Sequence, residues 1–462
     1  MSRVVVVGAG IAGLAAAHAL AADGADVTVI EATDAVGGKL RASEVAGVLV
    51  DEGAEMFLRR VPEALDLVDA LGRSGELVSP RTTTASVWAR GALRPMPLRT
   101  VMGVPSDPAA LRGVLSGAEV ARAELDRVLP GAPPAAGPDG DVSVGVWVGR
   151  RVGRAVVERL VDPLLGGVYA GRADELSLAA TIPQLPRDER SVLAAARRVV
   201  PAAAASDPVF ATVTGGMGSL PTSLAAAVRE RGGVVTTGRA VRRLERTERG
   251  WRIVHGATTD EQAIDADAVV VAVPATPAAR LLADLAPSAA GELASIDAAS
   301  MAIITTAWRP ADVPQLDTSG YLVPAVYGRT VKAVTFASAK WRHLAGADAV
   351  IVRSSIGRHG DVADLQRDDA ELVEAVTAEL TSYAGFAGTP IDARVSRWGG
   401  GLPQYAVGHV ARVARIRSAV AAVPGLAVCG ATYDGVGVPA CIRTGRAAAE
   451  QALASLRSRE DR

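Results

Sequence analysis

The sequence predicts an α/β fold joined to an α+β region, and three stretches carry that reading. "RVVVVGAGIAGLAAAHALAADGADVTVIEA" at the start alternates strand, small-residue helix and strand. "ADAVVVAVPATPAARLLADL" near the middle again hands a strand to a helix, and "GLAVCGATYDGVGVPACIRTGRAAAEQALASL" at the end returns to strand, glycine turn and helix. Short unbroken apolar runs of this kind mark strands covered on both faces, as in parallel sheets. The three stretches lie far apart in the chain, so they predict one domain assembled from discontinuous pieces. At 462 residues the chain exceeds the size of a single core, and two or three domains are expected.

The remaining elements follow in order. "SEVAGVLVDEGAEMF" predicts a strand entering a turn, and "VPEALDLVDALGRSGELV" has helical spacing closed by glycine. "ALRGVLSGAEVARAELDRVL" also reads as helix. "PGAPPAAGPDGD" (130–141) and "VVPAAAASDP" (199–208) are connections by composition. "TGGMGSL" reads as a turn with no buried strand before it, and "AVRRLERTERGWRIVHG" as a hairpin. From 300 to about 400 the pattern is mainly short strands with one amphipathic helix, "DAELVEAVTAELTSYAG". One stretch resists assignment. "LVDPLLGGVYAGRADELSLAATIPQL" (160–185) holds Gly166, Gly167 and Gly171 around Tyr169, a glycine density that disfavours both helix and strand interior.

The opening stretch contains Gly8-x-Gly10-x-x-Gly13 between strand and helix. In that context the first glycine permits a tight turn, the second lets backbone approach a pyrophosphate, and the third lets helix pack on strand. The backbone from Gly8 through Ala9, Gly10, Ile11 and Ala12 to Gly13 is thus a phosphate cradle, with the helix N-terminus supplying unpaired N–H groups. Glu31 ends the next strand 18 residues after Gly13, placed to accept hydrogen bonds from a ribose diol. This is a Rossmann-like dinucleotide site. After Glu31 and Ala32, "EATDAVGGKL" brings a second glycine pair, Gly37 and Gly38, followed by Lys39. That extension resembles the motif of FAD enzymes of the glutathione reductase and amine oxidase type. No second GxGxxG with its own acidic partner follows, which argues against a nicotinamide site.

Bulk properties exclude other classes. Acidic and basic residues nearly cancel, 50 against 49, so no global charge argument for nucleic acid exists. Two cysteines, Cys429 and Cys441, make neither a disulfide framework nor a four-ligand metal site, and a reducing cytoplasm is the expected location. No apolar run long enough for a transmembrane helix is present, and peripheral membrane contact stays open without being predicted. No Ser/His/Asp set, paired carboxylates or metal spacing is found, and no metal is expected. The histidines are scattered, with structural roles expected for His18 and His409.

Taken together with "VDEGAEMFL", "FATVTGGMGSLP", "TFASAKWRH", "RWGGGLPQYAVGH" and "GATYDGVGVPACI", the glycine-rich stretch resembles the family of protoporphyrinogen and coproporphyrinogen oxidases over nearly the whole chain. The resemblance implies an FAD-binding domain (1–80, 210–285 and 425–462), a helical domain (81–209) and a sheet-based substrate domain (286–424). It implies flavin contacts at Gly8–Gly13, Glu31, Ala32, Lys39, Gly53, Ala54, Glu55, Met56, Val241, Trp398, Gly430, Val436, Gly437 and Val438. Val241 is expected on the adenine side and Trp398 near the isoalloxazine. A flat tetrapyrrole must lie close to the flavin, and glycine would let the Gly167 carbonyl face its pyrrole N–H groups. Tyr169 and Lys340 are the polar candidates for catalysis.

The reaction so implied is hydride removal from a tetrapyrrole bridge carbon to flavin N5 with loss of a pyrrole N–H proton, repeated three times, with oxygen as acceptor. The cofactor would carry the chemistry while the protein supplies position and dryness. Coproporphyrinogen III is the expected substrate and protoporphyrinogen IX the alternative. Ala85 stands where animal and plant enzymes offer an arginine, and Arg94 and Arg99 are available for carboxylates. A downstream iron-inserting enzyme is an expected recipient of product. The rivals are an amine oxidase, for whose aromatic cage six tyrosines are few, a carotenoid desaturase, and a flavin-free protein of the GDP-dissociation-inhibitor kind.

Overall fold

A computed structural model describes residues 2–129, 139–200, 208–346 and 348–460. Most of the two connections expected at 130–141 and 199–208 lies outside the described residues. The predicted discontinuous sheet is present. Five parallel strands run in the order Val234–Thr236, Asp26–Ile30, Arg3–Val7, Ala268–Val271, Leu426–Val428. The opening valines show why a continuous apolar run belongs there. Val4 and Val6 enter one core cluster with the helix Ile11–Ala22, while Val5 and Val7 enter a second on the opposite face. Each valine is at most 3% exposed, and such burial contributes roughly 1.5–3 kcal/mol per side chain. The last helix, Val438–Glu460, crosses the first so closely that a Cβ on Gly445 would lie 2.2 Å from the Ala12 carbonyl oxygen.

A second, seven-stranded sheet has the order Asp392–Pro403, Ala298–Trp308, Val350–Ile356, Val331–Thr335, Gly320–Leu322, Ser86–Ala89, Ala92–Pro95. One face packs on the helix Asp369–Ala384 through Leu372, Val376 and Leu380. Its opposite face looks toward the nucleotide domain and bears Arg394 and Arg353, both of which reach the segment 52–55. The third core is helical, built around Trp147, Leu160, Leu165, Leu178 and Leu193.

Several expectations are corrected. The hairpin 86–95 extends the large sheet, because Tyr321 and Leu322 pair with Ser86 and Val87, so that part of 81–209 is not helical. The helices Pro287–Ala294 and His409–Ala421 place Leu293, Val413 and Ile416 in the core under the five-stranded sheet, although 286–424 was expected to serve the substrate domain. Two of the strands between 298 and 403 are long, at 11 and 12 residues. "SEVAGVLVDEG" holds two strands rather than one, Ala42–Val45 and Val48–Asp51. In "ALRGVLSGAEVARAELDRVL" the α-helix begins only at Gly117, behind a capping box of Ser116 and Glu119. "TGGMGSL" does follow a mostly buried strand, Phe210–Val213. That strand is antiparallel to its neighbours, and the N–H groups of Met217 and Gly218 are taken by the Asp51 carboxylate at 3.0 and 2.9 Å.

The glycine-rich stretch is the clearest departure. Gly166 and Gly167 lie in the final turns of an α-helix, Asp162–Tyr169, that continues a π-helical segment, Val157–Val161. Tertiary packing overrides the glycine penalty: Leu165 and Tyr169 are buried in the helical core, and Pro163 occupies the first turn. Ala170 then turns left-handed at φ 51°, and Gln404 and His359 secure the exit by bonding the Tyr169 and Ala170 carbonyls.

Candidate functional site

The nucleotide end is built on the glycine turn. Gly8 has φ +102°, and a Cβ there would sit 2.8 Å from the Ala272 carbonyl oxygen, while one on Gly13 would sit 2.0 Å from that of Gly8. Both are fixed by packing. Gly10 differs, since a Cβ there would meet nothing within 4 Å. Its freedom faces open space at the start of the helix Ile11–Ala22, whose N-terminus has no side-chain cap and no acidic residue in its first turn. Uncapped N–H groups beside an open glycine suit a pyrophosphate.

Glu31 holds the turn in place. Its carboxylate accepts from Ala9 N at 2.7 Å, Thr33 N at 2.9 Å and Thr33 Oγ1 at 2.8 Å. A carboxylate has about four acceptor positions, so capacity for a ribose hydroxyl remains. Arg239 N bonds the Glu31 carbonyl, which brings Val241, two residues on, to the same end. Ala32 is exposed next to it. Gly37 N bonds the Ala9 carbonyl at 2.8 Å, docking the second glycine turn on the first.

Beyond the second turn the chain gathers the residues expected around a flavin. A Cβ on Gly53 would lie 2.0 Å from the Lys39 carbonyl oxygen and 3.4 Å from Trp398 Cζ2. Trp398 Nε1 donates to the Glu52 carbonyl at 3.2 Å. Burial pushes the Lys39 ammonium below its usual range, an effect partly opposed by Cys441, whose own thiol is raised to about 11 by burial. Gly430, at φ +121°, has open space where a Cβ would be, and Thr444 Oγ1 accepts its N–H. Val436 and Gly437 lead into the last helix at Val438, so both helix N-termini open at the same edge of the parallel sheet.

Ala54 is exposed, but Glu55 and Met56 turn inward and meet Lys340. Glu55 accepts from Lys340 Nζ at 2.5 Å and from Arg353 Nη1 at 2.6 Å, while Arg353 Nη2 donates to the Gly53 carbonyl at 2.5 Å. Burial alone would raise the Glu55 carboxyl, yet the two cations outweigh it and hold the group at about 2. Lys340 is therefore committed to the turn 53–56. Gly167 and Tyr169 lie elsewhere, on the helix that packs against strands 320–322 and 331–335. Gly167 is exposed, and a Cβ on it would just touch Leu322 Cδ2 at 4.0 Å. Its carbonyl is among the last four of its helix and receives no hydrogen bond among the described residues. Burial pushes the Tyr169 phenol up to about 12, so it stays protonated at neutral pH.

Sequence reasoning passed over Arg353, Gln404 and Tyr405. A lone arginine inside the apolar run "AVIVRSSIGR" was a usable signal, because a charge in a buried strand requires a partner. Gln404 and Tyr405 stand in a stretch already singled out, but their partners are distant in sequence.

Comparison with known proteins matches this arrangement. The model of the flavin containing amine oxidoreductases covers residues 11–453. A coproporphyrinogen III oxidase of Mycobacterium tuberculosis is 35% identical over 95% of this chain and 94% of its own length. One from Bacillus subtilis is 32% identical over 98% of each, and a protoporphyrinogen oxidase of Macaca fascicularis is 27% identical over 97% of this chain and 98% of its own length. A crystal structure assigned as a protoporphyrinogen oxidase, from Exiguobacterium sp. 255-15, superposes with a TM-score of 0.85 at 29% identity over 99% of each chain. Cyclohexylamine oxidase from Brevibacterium oxydans shares the fold, with a TM-score of 0.71 at 18% identity over 99% of each chain.

Proposed function

Because the chain belongs to the family of flavin-containing amine oxidoreductases, we propose that it oxidises coproporphyrinogen III to coproporphyrin III, with FAD as cofactor and oxygen as acceptor. FAD, when bound, supplies the acceptor for hydride at each of three two-electron oxidations. The chain's own residues do the rest. Gly10 and the first helix would hold the pyrophosphate, Glu31 the ribose, and Gly53, Trp398, Gly430 and the turn 436–438 would hold the ring system. Lys340 and Arg353, through Glu55, keep the turn 53–56 in place.

The observation that carries the substrate reading is Gly167, exposed in the last turn of its helix, whose carbonyl receives no hydrogen bond among the described residues. A flat macrocycle can approach it, and a pyrrole N–H can donate to it. Two basic side chains of the adjoining sheet, Lys332 and Arg94, have buried nitrogens with no hydrogen-bond partner among the described residues, and we assign them to substrate carboxylates. Four propionates on coproporphyrinogen suit such a wall better than the two of protoporphyrinogen. No helix among the described residues is long and apolar enough to cross a membrane, and we place the enzyme in the cytoplasm.

The test is a paired assay on pure protein. A flavin absorbance band and peroxide formation with coproporphyrinogen III, faster than with protoporphyrinogen IX, are expected. Faster turnover of protoporphyrinogen IX would shift the substrate. A protein that stays colourless after reconstitution with FAD would overturn the whole reading.

A further inference from the structure

We propose that Gln404 and Tyr405 are positioning residues which set the spacing between the substrate wall and the flavin from one two-residue step. The proposal rests on the flavin and substrate sites assigned above, and its evidence is a set of bonds that diverge from adjacent side chains. Gln404 Nε2 donates to the Tyr169 carbonyl at 2.8 Å and to the Leu402 carbonyl at 3.0 Å. The first of these seizes the last residue of the helix that carries Gly167. A Cβ on Gly171 would lie 2.4 Å from Gln404 Oε1, so the amide fits between the helix end and the next glycine. Gln404 is 5% exposed and is itself anchored, its N–H bonding the Asp297 carbonyl at 2.8 Å.

Tyr405 works in the other direction. Its hydroxyl donates to the Ala431 carbonyl at 2.5 Å and accepts from Gly435 N at 2.8 Å, bridging the turn between Gly430 and Val436. Gly435 has φ +135° and leads directly into residues 436–438. The Tyr405 ring is clamped as well. It stacks on His409 at 3.8 Å between centroids and 14° between planes, and it meets the Tyr169 ring at 5.5 Å. His409 Nε2 bonds the Tyr433 carbonyl, a third hold on the same turn. Burial keeps the Tyr405 phenol protonated. One residue therefore grips the substrate-side helix and the next grips the cofactor-side turn. The two share a backbone step with both side chains buried, so each wall is held by its own side chain against one common anchor.

The experiment uses the full-length protein and two conservative substitutions, Tyr405→Phe and Gln404→Leu, with Gln404→Glu as a second variant that keeps the side-chain shape. FAD affinity is read by flavin fluorescence, the bound flavin's surroundings by visible circular dichroism, and KM and kcat at saturating FAD. Tyr405→Phe is expected to weaken FAD binding about tenfold and change the dichroism, with KM unchanged. Both Gln404 variants are expected to leave FAD affinity within about twofold and to raise KM by about fivefold or more. Both residues moving both readouts together, as general loosening would, overturns the proposal, and so does neither moving either. If the wild type turns over no porphyrinogen, the proposed function fails on its own account. The flavin measurements then still decide, since Tyr405→Phe must weaken FAD and Gln404→Leu must not.

Discussion

Glu55 shows how much a single buried carboxylate contributes here. Its folded-state value of about 2 lies below the ordinary 4.5, so it contributes about 3 kcal/mol that is complete above pH 4.5 and lost as pH falls through 2. Glu55→Gln leaves Lys340 and Arg353 buried with no counter-charge, and a loss of about 3–5 kcal/mol is expected in denaturant unfolding. Lys332 works with the opposite sign. Burial lowers its ammonium from 10.5 to about 7, aided by the nearby Arg358. The unfolded chain therefore binds an extra proton between pH 7 and 10.5, and native stability rises with pH across that window. Lys332→Met is expected to raise the unfolding midpoint at pH 6, with the gain fading toward pH 10, while KM for a carboxylated porphyrinogen increases. A fixed gain at every pH would show that the amine is not the cause. At this scale the sequence displayed Glu31 and the glycines, whose roles are set by neighbours close in the chain. Glu55, Lys340 and Arg353 could be noticed singly, but their union spans nearly 300 positions.

The helix Asp162–Tyr169 carries the lesson at the level of elements. Its glycines disfavour a helix by about 1 kcal/mol each relative to alanine. That cost is outweighed because Leu165 and Tyr169 have a core to enter and Gln404 closes the C-terminal end. The same geometry separates stability from activity. Gly167→Ala adds a methyl that meets only Leu322 at 4.0 Å, so apo-protein stability is expected to hold or rise by about 0.5–1 kcal/mol. Porphyrinogen KM is expected to rise all the same, and unchanged kinetics would remove Gly167 from the substrate wall. Gly10 and Gly13 form a second such pair. Gly10→Ala should fold normally and bind FAD weakly, whereas Gly13→Ala should destabilise the apo-protein, because its methyl would collide with the Gly8 carbonyl. Thermal unfolding without cofactor, followed by FAD titration, distinguishes the two.

For the molecule as a whole, four strands of the parallel sheet were readable as short apolar runs wherever they fall in the chain, whereas the more exposed edge strand Val234–Thr236 was not. The hairpin 86–95 was not, since only its pairing with Tyr321 and Leu322 reveals its allegiance. That parallel sheet also dictates a schedule. Arg3–Val7 occupies its middle, yet one neighbouring strand arrives at residue 268, and the edge strand beyond that only at 426. During synthesis Val4 and Val6 meet the first helix early, but Val5 and Val7 must wait for the strand at 268, the helices after it and the last strand, when almost the entire polypeptide has left the ribosome. Premature termination anywhere before the final strand would then yield sticky fragments rather than a partly active enzyme, and chaperone dependence should track the delay.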